Sequence, residues 1–391
     1  MTQAQNKTKR PSTSRWVHMR FTAAGWIFLG LAILVGAGAV HSRMTLMFLL
    51  FGGMMGAVTI SILLSHWMVR AVELKRDVPS RTWQNQPVTL EYALRSARST
   101  PCLGLCVAEQ APRGVNIPEA FCLHLPLGRV LQTGATFTPA HRGRISFHAV
   151  RVSTTFPFGL ATASRTLSRE ASLVVWPSHG RLLAPLLHRG AEESSNAAPG
   201  TTQGGQDEFF GLREYRPGDS PRWIHWRRSA GRPVPVVREM SQPLPDILFL
   251  VLDTLADSPD ARTAREKMIR FAATLIDHAF HREYQVGMAL AYQGRVALFA
   301  PAGDEDHRVA LLDALADVGD NASRSISETA LQVPRRMIRQ AQVIAVTADG
   351  NLDSDGAAHL ARAGRHLSVL TQGNLDRYFR DDPPPAQEGR P

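Results

Sequence analysis

Three residues of one short segment have side chains that could together perform hydrolysis. Asp219, His225 and Ser229 could act as orienting acid, general base and nucleophile. A histidine oriented by a carboxylate can remove the proton from a serine hydroxyl as the hydroxyl attacks a carbonyl. However, this serine does not lie in a Gly-x-Ser-x-Gly elbow. The sequence also lacks a Walker A phosphate loop, so we do not expect the chain itself to hydrolyse ATP.

The cysteines offer a second chemistry, metal binding. Cys102, Cys106, Cys122 and His124 provide the nitrogen and sulfur ligands that zinc prefers, but their spacing matches no standard zinc motif. Cys102 and Cys106 are separated by an even number of residues in an apolar run, as expected of small buried residues on one strand face. Three cysteines also do not form a disulfide framework, and they suit a reducing compartment.

The possible triad lies in a segment rich in arginine and tryptophan, which we place at residues 207–240 and call the signature segment. Its sequence is Phe-Gly-Leu-Arg-Glu-Tyr-Arg-Pro-Gly-Asp-Ser-Pro-Arg-Trp-Ile-His-Trp-Arg-Arg-Ser-Ala at 210–230, then Val-Val-Arg-Glu at 236–239. The purely structural interpretation is a network of charged side chains that connects the β domain to the α/β domain. The alternative is a docking surface for an acidic partner, because exposed arginine and tryptophan favour interfaces. The candidate residues are Arg213, Glu214, Tyr215, Pro217, Gly218, Asp219, Arg222, His225, Trp226, Ser229 and Glu239.

This pattern closely resembles domain-of-unknown-function family 58. Its members typically show Leu-Arg-Glu-Tyr-x-x-Gly-Asp, then Arg-x-Ile-His-Trp and Ser-Ala, then a Val-Arg-Glu ending. Arg-Gly-Arg at 142–144 and Phe-Pro-Phe-Gly-Leu at 156–160 also resemble the β region of that family. The resemblance implies a membrane anchor, a C-terminal von Willebrand factor A-like domain, and association with MoxR-type AAA+ ATPases, sometimes also with membrane transglutaminase-like proteins. It implies no particular reaction.

Domains of the A type often bind a divalent cation through Asp-x-Ser-x-Ser after the first strand and a later Asp-Gly. Here Asp253 matches the aspartate, but Leu255 and Asp257 occupy the serine positions, and Asp349-Gly350 resembles the later element. Hard cations need several oxygen ligands, and leucine offers none. We therefore expect a degenerate site without metal and no other cofactor, with Asp253, Asp257 and Asp349 as weak cation candidates.

Two uncharged runs near the N-terminus predict a transmembrane helical hairpin. Phe21 to Val40 and Met44 to Val69 are each long enough for the roughly 20 residues that cross a bilayer. A cleaved signal peptide is the alternative for the first run, but a second run follows at once. Basic residues flank the pair on both outer sides, whereas the turn carries only Arg43. The flanking basic residues are Lys7, Lys9, Arg10, Arg15, Arg20, Arg70, Lys75, Arg76 and Arg81. Positive charge is retained in the cytoplasm, so both termini should be cytoplasmic and the protein should lie in the inner membrane.

Pattern changes divide the remainder of the chain. Short alternating runs between turn clusters predict a small β-sandwich-like domain, and alternating strands and helices later predict a doubly wound α/β domain. The predicted divisions are a basic cytoplasmic tail (1–20), two transmembrane helices (21–69), a β-rich domain (77–188), a flexible linker (189–206), the signature segment (207–240), an α/β von Willebrand factor A-like domain (241–378) and a disordered tail (379–391).

Composition limits the function classes. The net charge is +10 over 391 residues, which admits nucleic-acid binding through the basic signature as a rival function. The arginines are spread along the chain without a block of like charges, and nothing predicts a groove-reading element, so nucleic acid is not expected. We expect a non-enzymatic, membrane-anchored adaptor or scaffold that docks a cytoplasmic partner, and the family resemblance implies that this partner is a MoxR-type AAA+ ATPase. A hydrolase based on Asp219, His225 and Ser229 is the alternative.

Overall fold

The computed structural model describes residues 17–381 with short gaps. Outside the described residues lie 1–16, 98–100, 111, 113, 185, 188–202, 217–219, 242–245, 293, 320–323, 349–351 and 382–391. The chain divides into two compact units, which we call the β unit (up to Ser178) and the α/β unit (from His179). Most of the predicted basic tail, linker and C-terminal tail therefore fall outside the described residues.

The β unit begins with a strand and two long apolar helices. They are β1 (His18–Phe21), α1 (Ala23–Ser42) and α2 (Thr45–Ala71). The Thr22 hydroxyl accepts a hydrogen bond from the Gly25 amide at 2.9 Å and caps the start of α1. Arg43, with a φ of 52°, ends α1 in the left-handed conformation. Both helices are long and apolar enough to cross a membrane, as the sequence predicts.

Large apolar side chains cover the outside of these two helices. Such a surface is unfavourable in water, because exposed apolar area costs about 25 cal/mol per Å². The exposed side chains include Ile27, Leu31, Leu34, Val40, Leu46, Leu49, Ile60 and Leu63. This exposure is the opposite of a helix buried in a soluble core and agrees with a membrane protein.

The end of α2 lies against the β unit rather than on the outside. Met68 and Val69 are buried, and the Cys102 thiol donates to the Met68 carbonyl at 3.6 Å. Leu64 packs against the same core. The predicted span from Met44 to Val69 is confirmed as a helix that is long and apolar enough to cross a membrane, and part of its last turns also packs on the β unit.

Two sheets enclose the core of the β unit. The remaining strands are β2 (Val72–Asp77), β3 (Arg81–Trp83), β4 (Val88–Ser96), β5 (Cys102–Gln110), β6 (Ala120–Leu125), β7 (Val130–Phe137), β8 (Gly143–Thr154) and β9 (Ala161–Trp176). One sheet has the order β1-β9-β8-β5-β6 with β3 on β9, and the other has the order β2-β4-β7. Tyr92 of the smaller sheet and Phe147 of the larger one belong to one buried cluster, as in a sandwich.

The strand that precedes α1 belongs to this unit. His18 pairs with Ser164 and Phe21 with Ala161 in an antiparallel ladder between β1 and β9. The β unit thus includes residues on both sides of the helical pair and begins well before residue 77. Local pattern did not reveal β1, because its partner lies far away in the sequence.

A buried ion pair lies between the sheets. Arg76 Nη1 donates to Glu109 Oε2 at 2.7 Å, and their side chains are 2% and 0% exposed. Tyr92 donates its hydroxyl to the other carboxylate oxygen at 3.1 Å, and the Arg76 guanidinium also lies over the Phe147 ring. Burial raises the pKa of Glu109, and the Arg76 charge opposes that shift. Arg76 is therefore a core residue of the β unit. Its interpretation from the sequence as a membrane-flanking charge is wrong.

The α/β unit contains the signature segment and a five-stranded sheet. Its elements are β10 (Arg181–Leu182), β11 (Gln203–Glu214), α3 (Trp226–Ser229), β12 (Val236–Ser241), β13 (Ile247–Leu252), α4 (Pro259–Phe280), β14 (Gln285–Tyr292), β15 (Arg295–Ala302), α5 (Glu305–Asp317), α6 (Ile326–Gln332), α7 (Arg335–Ile338), β16 (Gln342–Thr347), α8 (Ser354–Ala363), β17 (His366–Thr371), α9 (Gln372–Leu375) and β18 (Phe379–Arg380).

The sheet has the order β15-β14-β13-β16-β17 and is mixed. β13 pairs in parallel with β14 and β16, and β16 pairs in parallel with β17. β15 is antiparallel to β14, because Gly294 turns the chain directly back with a φ of 74°. Leu248 to Leu252 are all buried, as expected of a central strand covered on both faces. The α/β pattern is confirmed, with an antiparallel edge strand that the simple doubly wound prediction lacked.

A network of charged groups and histidines lies around the end of α4 and the start of α5. Arg308 Nη1 donates to Asp277 Oδ1 at 2.6 Å and also binds Glu305. His281 Nδ1 lies 3.7 Å from Asp277 Oδ2. Burial lowers the pKa of His179; Asp277 raises it, whereas Arg308 and His281 lower it further.

We expect the α/β unit to lose stability at acidic pH. The folded state favours neutral His179, whose ordinary pKa is 6.5. The contribution of neutral His179 to the free energy of unfolding is complete above that pKa. It is lost as the pH falls through the lower pKa of the folded state. Hydrogen exchange of α4 should therefore speed up modestly from neutral pH to pH 5, relative to intrinsic amide rates. His179→Gln should reduce this acid response, and an unchanged response would assign it to other groups.

Candidate functional site

The signature segment forms a two-stranded antiparallel ribbon with a short helical turn packed on it. Arg213 of β11 pairs with Val237 of β12, and Gly211 pairs with Glu239. The Tyr215 amide continues the pairing by donating to the Pro235 carbonyl at 2.8 Å. Pro217, Gly218 and Asp219, which the sequence predicts as a turn, lie outside the described residues.

The connection between the two strands folds back onto β12. Residues Pro221–Trp223 form a single 3₁₀ turn, and α3 follows it. The His225 amide donates to the Val236 carbonyl at 2.8 Å, and Ile224 bridges to Val237. Val236 and Val237, the two β12 residues that this connection pairs with, are buried.

The hydroxyl of Ser229 binds the backbone of β12. It accepts from the Val236 amide at 2.9 Å, and its single proton has two acceptors within reach, the carbonyls of His225, at 3.1 Å, and Val236, at 3.4 Å. These bonds join α3 to β12. Ser229 is therefore placed as a structural residue, because its oxygen is used to satisfy backbone groups.

The ring of His225 caps α3. Its Nδ1 accepts from the Arg228 amide at 3.3 Å. His225 and Ser229 are thus brought together, but through the His225 carbonyl and not through its ring. Within the described part of the signature segment, this arrangement gives no support to a serine activated by the histidine.

Replacing Ser229 by alanine should loosen the signature segment. The Val236 amide would lose its acceptor, and an unsatisfied buried donor costs about 1–3 kcal/mol. Hydrogen exchange of the β12 amides should become correspondingly faster. Arg227→Ala, an exposed change in the same helical turn, is the control and should leave these rates unchanged. Equal rates in both variants would show that the Ser229 bonds are not important for stability.

The outer side of the same turn is basic and aromatic. Trp226 is 69% exposed and does not pack into the sheet edge. Arg222, Arg227 and Arg228 are also exposed, whereas Trp223 is half-buried. We call Arg222, Trp226, Arg227 and Arg228 the Arg/Trp surface. It combines the two side-chain types that dominate the binding energy of protein interfaces.

A second place of interest is the carboxyl end of the parallel strands, where such sheets bind ligands. Asp253 follows β13; its carboxylate accepts from the Leu255 amide at 3.1 Å and from the Thr347 hydroxyl at 3.1 Å. Asp257 is exposed in the following loop, and Asp349 lies outside the described residues. The Asp253 carboxylate therefore ties two strand ends together, and the weak cation prediction stays a prediction.

The cysteines are free thiols in the β unit. Cys102 and Cys122 are buried and Cys106 is half-buried. Burial raises the pKa of all three thiols, which disfavours the thiolate that binds metal. Over the described ranges, no group of three or more histidine, cysteine or acidic residues is arranged to hold a metal ion.

Sequence comparison finds one curated relative and a family. The uncharacterized protein YeaD of Bacillus subtilis (strain 168) is 26% identical over 224 residues, which are 57% of this chain and 54% of that protein. The chain thus spans about half the length of this relative.

The solved structures that match carry no argument about fold. Cwp6 from Clostridium difficile matches with 8% identity and a TM-score of 0.19, over 77% of this chain and 37% of that one. A GH20 exo-β-N-acetylglucosaminidase from Vibrio harveyi matches with 9% identity and a TM-score of 0.15, over 75% and 59%. Both scores are too low to indicate a shared fold.

The family match covers the signature segment and most of the α/β unit. Residues 211–375 match the family described as protein of unknown function DUF58. The matched residues include the Arg/Trp surface, Ser229 and the whole five-stranded sheet. The ribbon and the α/β sheet of this chain therefore form a DUF58 region.

Proposed function

We propose that this protein is a membrane-anchored adaptor whose Arg/Trp surface docks a cytoplasmic MoxR-type AAA+ ATPase. The observation that carries the proposal is the arrangement of the signature segment. Ser229 and His225 satisfy backbone groups, while the Arg/Trp surface is exposed on the same turn. A rigid surface of this composition suits binding, because little side-chain and backbone freedom is lost on association.

The fold of the α/β unit supports the von Willebrand factor A-like part of the proposal. A parallel sheet with one antiparallel edge strand carries Asp253 at the end of its central strand. The family expectation of a MoxR-type partner supplies the identity of the ATPase. The ATPase would use the docked adaptor to assemble or remodel a complex at the membrane.

Both flanks of the helical pair lie in one unit, which supports the proposed topology. β1 precedes α1 and β2 follows α2, so two spans would return the chain to the side where it began. The exposed Arg70 and Lys75 and the basic N-terminal residues favour the cytoplasm for that side. The proposed location is the inner membrane with both termini cytoplasmic.

Accessibility of single cysteines tests this topology. His41→Cys places a thiol in the last turn of α1, beside the turn of the hairpin, and His141→Cys places one in the turn between β7 and β8. Both positions are exposed, and a Cys106→Ala background removes the half-buried native thiol. A membrane-impermeant maleimide should label the His41→Cys protein in spheroplasts and the His141→Cys protein only after lysis. Labelling of His141→Cys from outside would contradict the cytoplasmic location.

Recovery of the ATPase tests the docking role. The tagged chain at its native level is purified from detergent-solubilised membranes, and bound proteins are identified by mass spectrometry. A MoxR-type ATPase should be recovered with the parent protein and lost from an Arg222→Ala, Trp226→Ala variant whose hydrogen exchange is unchanged. Recovery of no ATPase with either protein would overturn the docking proposal.

A further inference from the structure

The strand registers of the β unit show which of its turns lie beside the helical pair. Val72 at the end of α2 pairs with Ser96, and Arg95 pairs with Val130 at the start of β7. Cys102, which bonds to α2, pairs with Leu125 at the end of β6. The turn between β6 and β7 therefore lies at the end of the sandwich from which the helices emerge.

The turn between β8 and β9 lies at the same end. The Thr22 amide donates to the Leu160 carbonyl at 3.1 Å, and the Thr22 hydroxyl donates to the Gly159 carbonyl at 2.6 Å. Gly25, in the first turn of α1, packs so closely on Leu160 that an added Cβ would lie 1.9 Å from its carbonyl oxygen. This turn is thus fixed against the start of α1.

Exposed apolar side chains mark these two turns and the strand ends beside them. Leu127 and Phe158 lie on the turns, and Leu123 and Val130 lie on β6 and β7 next to them. We call these four residues the apolar rim. They are 48%, 56%, 72% and 59% exposed, respectively. The rim continues the exposed apolar surface of α1 and α2, where Trp26 and Trp67 are also exposed near the helix ends.

Positive charge accompanies the apolar rim. Arg129 is exposed between Leu127 and Val130, Arg20 is exposed just before α1, and Arg70 is exposed at the end of α2. Burial lowers the pKa of Arg165 on β9, and the Arg70 charge lowers it further. Arg95 differs from these arginines, because Glu73 lies across from it in the adjacent ladder.

We propose that the apolar rim inserts into the headgroup region of an anionic lipid bilayer and holds the β unit on the membrane surface. The rim faces a lipid surface in this proposal, because it is continuous with the apolar helices and has basic residues beside it. Apolar and aromatic side chains enter the interface, and arginines bind anionic headgroups. The inference rests on the proposed membrane anchoring, but it is independent of the ATPase.

Fluorescence quenching of the full chain in vesicles tests the rim. Leu127→Cys and Phe158→Cys variants, in the Cys106→Ala background, each carry an NBD label on the new cysteine. They are reconstituted into vesicles of phosphatidylcholine and phosphatidylglycerol. The vesicles are prepared with or without lipids that bear a shallow doxyl quencher. Leu34→Cys in α1 is the positive control, and His141→Cys at the opposite end of the sandwich is the matched negative control. Both rim labels should lose emission to the quencher and shift to shorter wavelength, and the His141 label should not.

Each alternative outcome overturns a defined part of the proposal. Quenching at Leu34 but not at Leu127 or Phe158 overturns the apolar rim and leaves the membrane anchor intact. Absence of quenching at Leu34 overturns the anchor and the rim together. Equal quenching in vesicles of phosphatidylcholine alone overturns the role of anionic headgroups.

Discussion

Arg76→Ala is expected to destabilise the β unit by about 3–5 kcal/mol, because it leaves a buried carboxylate without its partner. Glu109 is fully buried and depends on Arg76 and Tyr92 for its hydrogen bonds. The change also removes the guanidinium from the Phe147 ring. Urea unfolding of the detergent-solubilised full chain, followed by tryptophan fluorescence, would measure the loss. Trp83 and Trp176, which pack with ring centroids 4.9 Å apart, report on this unit.

Two controls separate the ion pair from general damage to β2. Lys75→Ala changes the exposed neighbour in the same strand and should cost little. The double variant Arg76→Met, Glu109→Met should recover part of the stability, because replacing both buried charges by apolar groups removes the unpaired charge. A single Arg76→Ala variant as stable as Lys75→Ala would show that the pair does not hold the two sheets together.

Trp226→Ala is expected to weaken binding of the ATPase by about 2 kcal/mol or more, roughly thirtyfold in Kd, if Trp226 is the central anchor of the docking surface. The side chain is 69% exposed in the free protein, so its removal creates no cavity. Arg222→Ala should also weaken binding, and more strongly at low salt. The measurement is the Kd of the purified ATPase for the full chain reconstituted in nanodiscs.

Exposed and structural controls define the result for Trp226. Leu331→Ala changes an exposed apolar residue on α6 and should leave the Kd unchanged. Ser229→Ala should weaken binding only to the extent that it loosens β12. Equal Kd values for the parent and Trp226→Ala proteins would remove Trp226 from the interface.

Local pattern was sufficient where an element's own residues decide its structure. The apolar run Ile247 to Leu252 is sufficient to predict β13, and the start at Pro259 with helical spacing to Phe280 is sufficient to predict α4, both with the observed bounds. The two long uncharged runs predicted α1 and α2 in the same way. In each case the hydrophobic period and the terminal residues lie within the element.

Non-local pairing explains the features that were missed. β1 is short, and only its partner β9 stabilises it as a strand. Arg76 was interpreted as a membrane-flanking charge because nothing in its neighbourhood identifies Glu109 as its partner. The packing of the last turns of α2 on the β unit has no signal of its own, because an apolar residue packed on a sheet has the same sequence signature as one in lipid.

The residue types of the candidate site could be predicted from the sequence, but the role of each side chain, structural or exposed for binding, could not. The sequence brought His225 and Ser229 together as a possible base and nucleophile, whereas the structure uses both side chains to satisfy backbone groups. Which tryptophan is exposed depends on how the turn at Pro221–Trp223 packs on β12, and this packing has no periodic signal in a segment of this length. Trp223 and Trp226 could therefore be distinguished only in three dimensions.

The most direct test of the docking surface is site-specific photo-crosslinking in cells. A benzophenone amino acid replaces Trp226 in one variant and Leu331 in a matched variant, each expressed at the native level in membranes. The proposal predicts that the Trp226 probe forms a crosslink to a MoxR-type AAA+ ATPase and that the Leu331 probe does not. A crosslink from neither position, with both proteins folded and in the membrane, would contradict the proposal that this surface docks the ATPase.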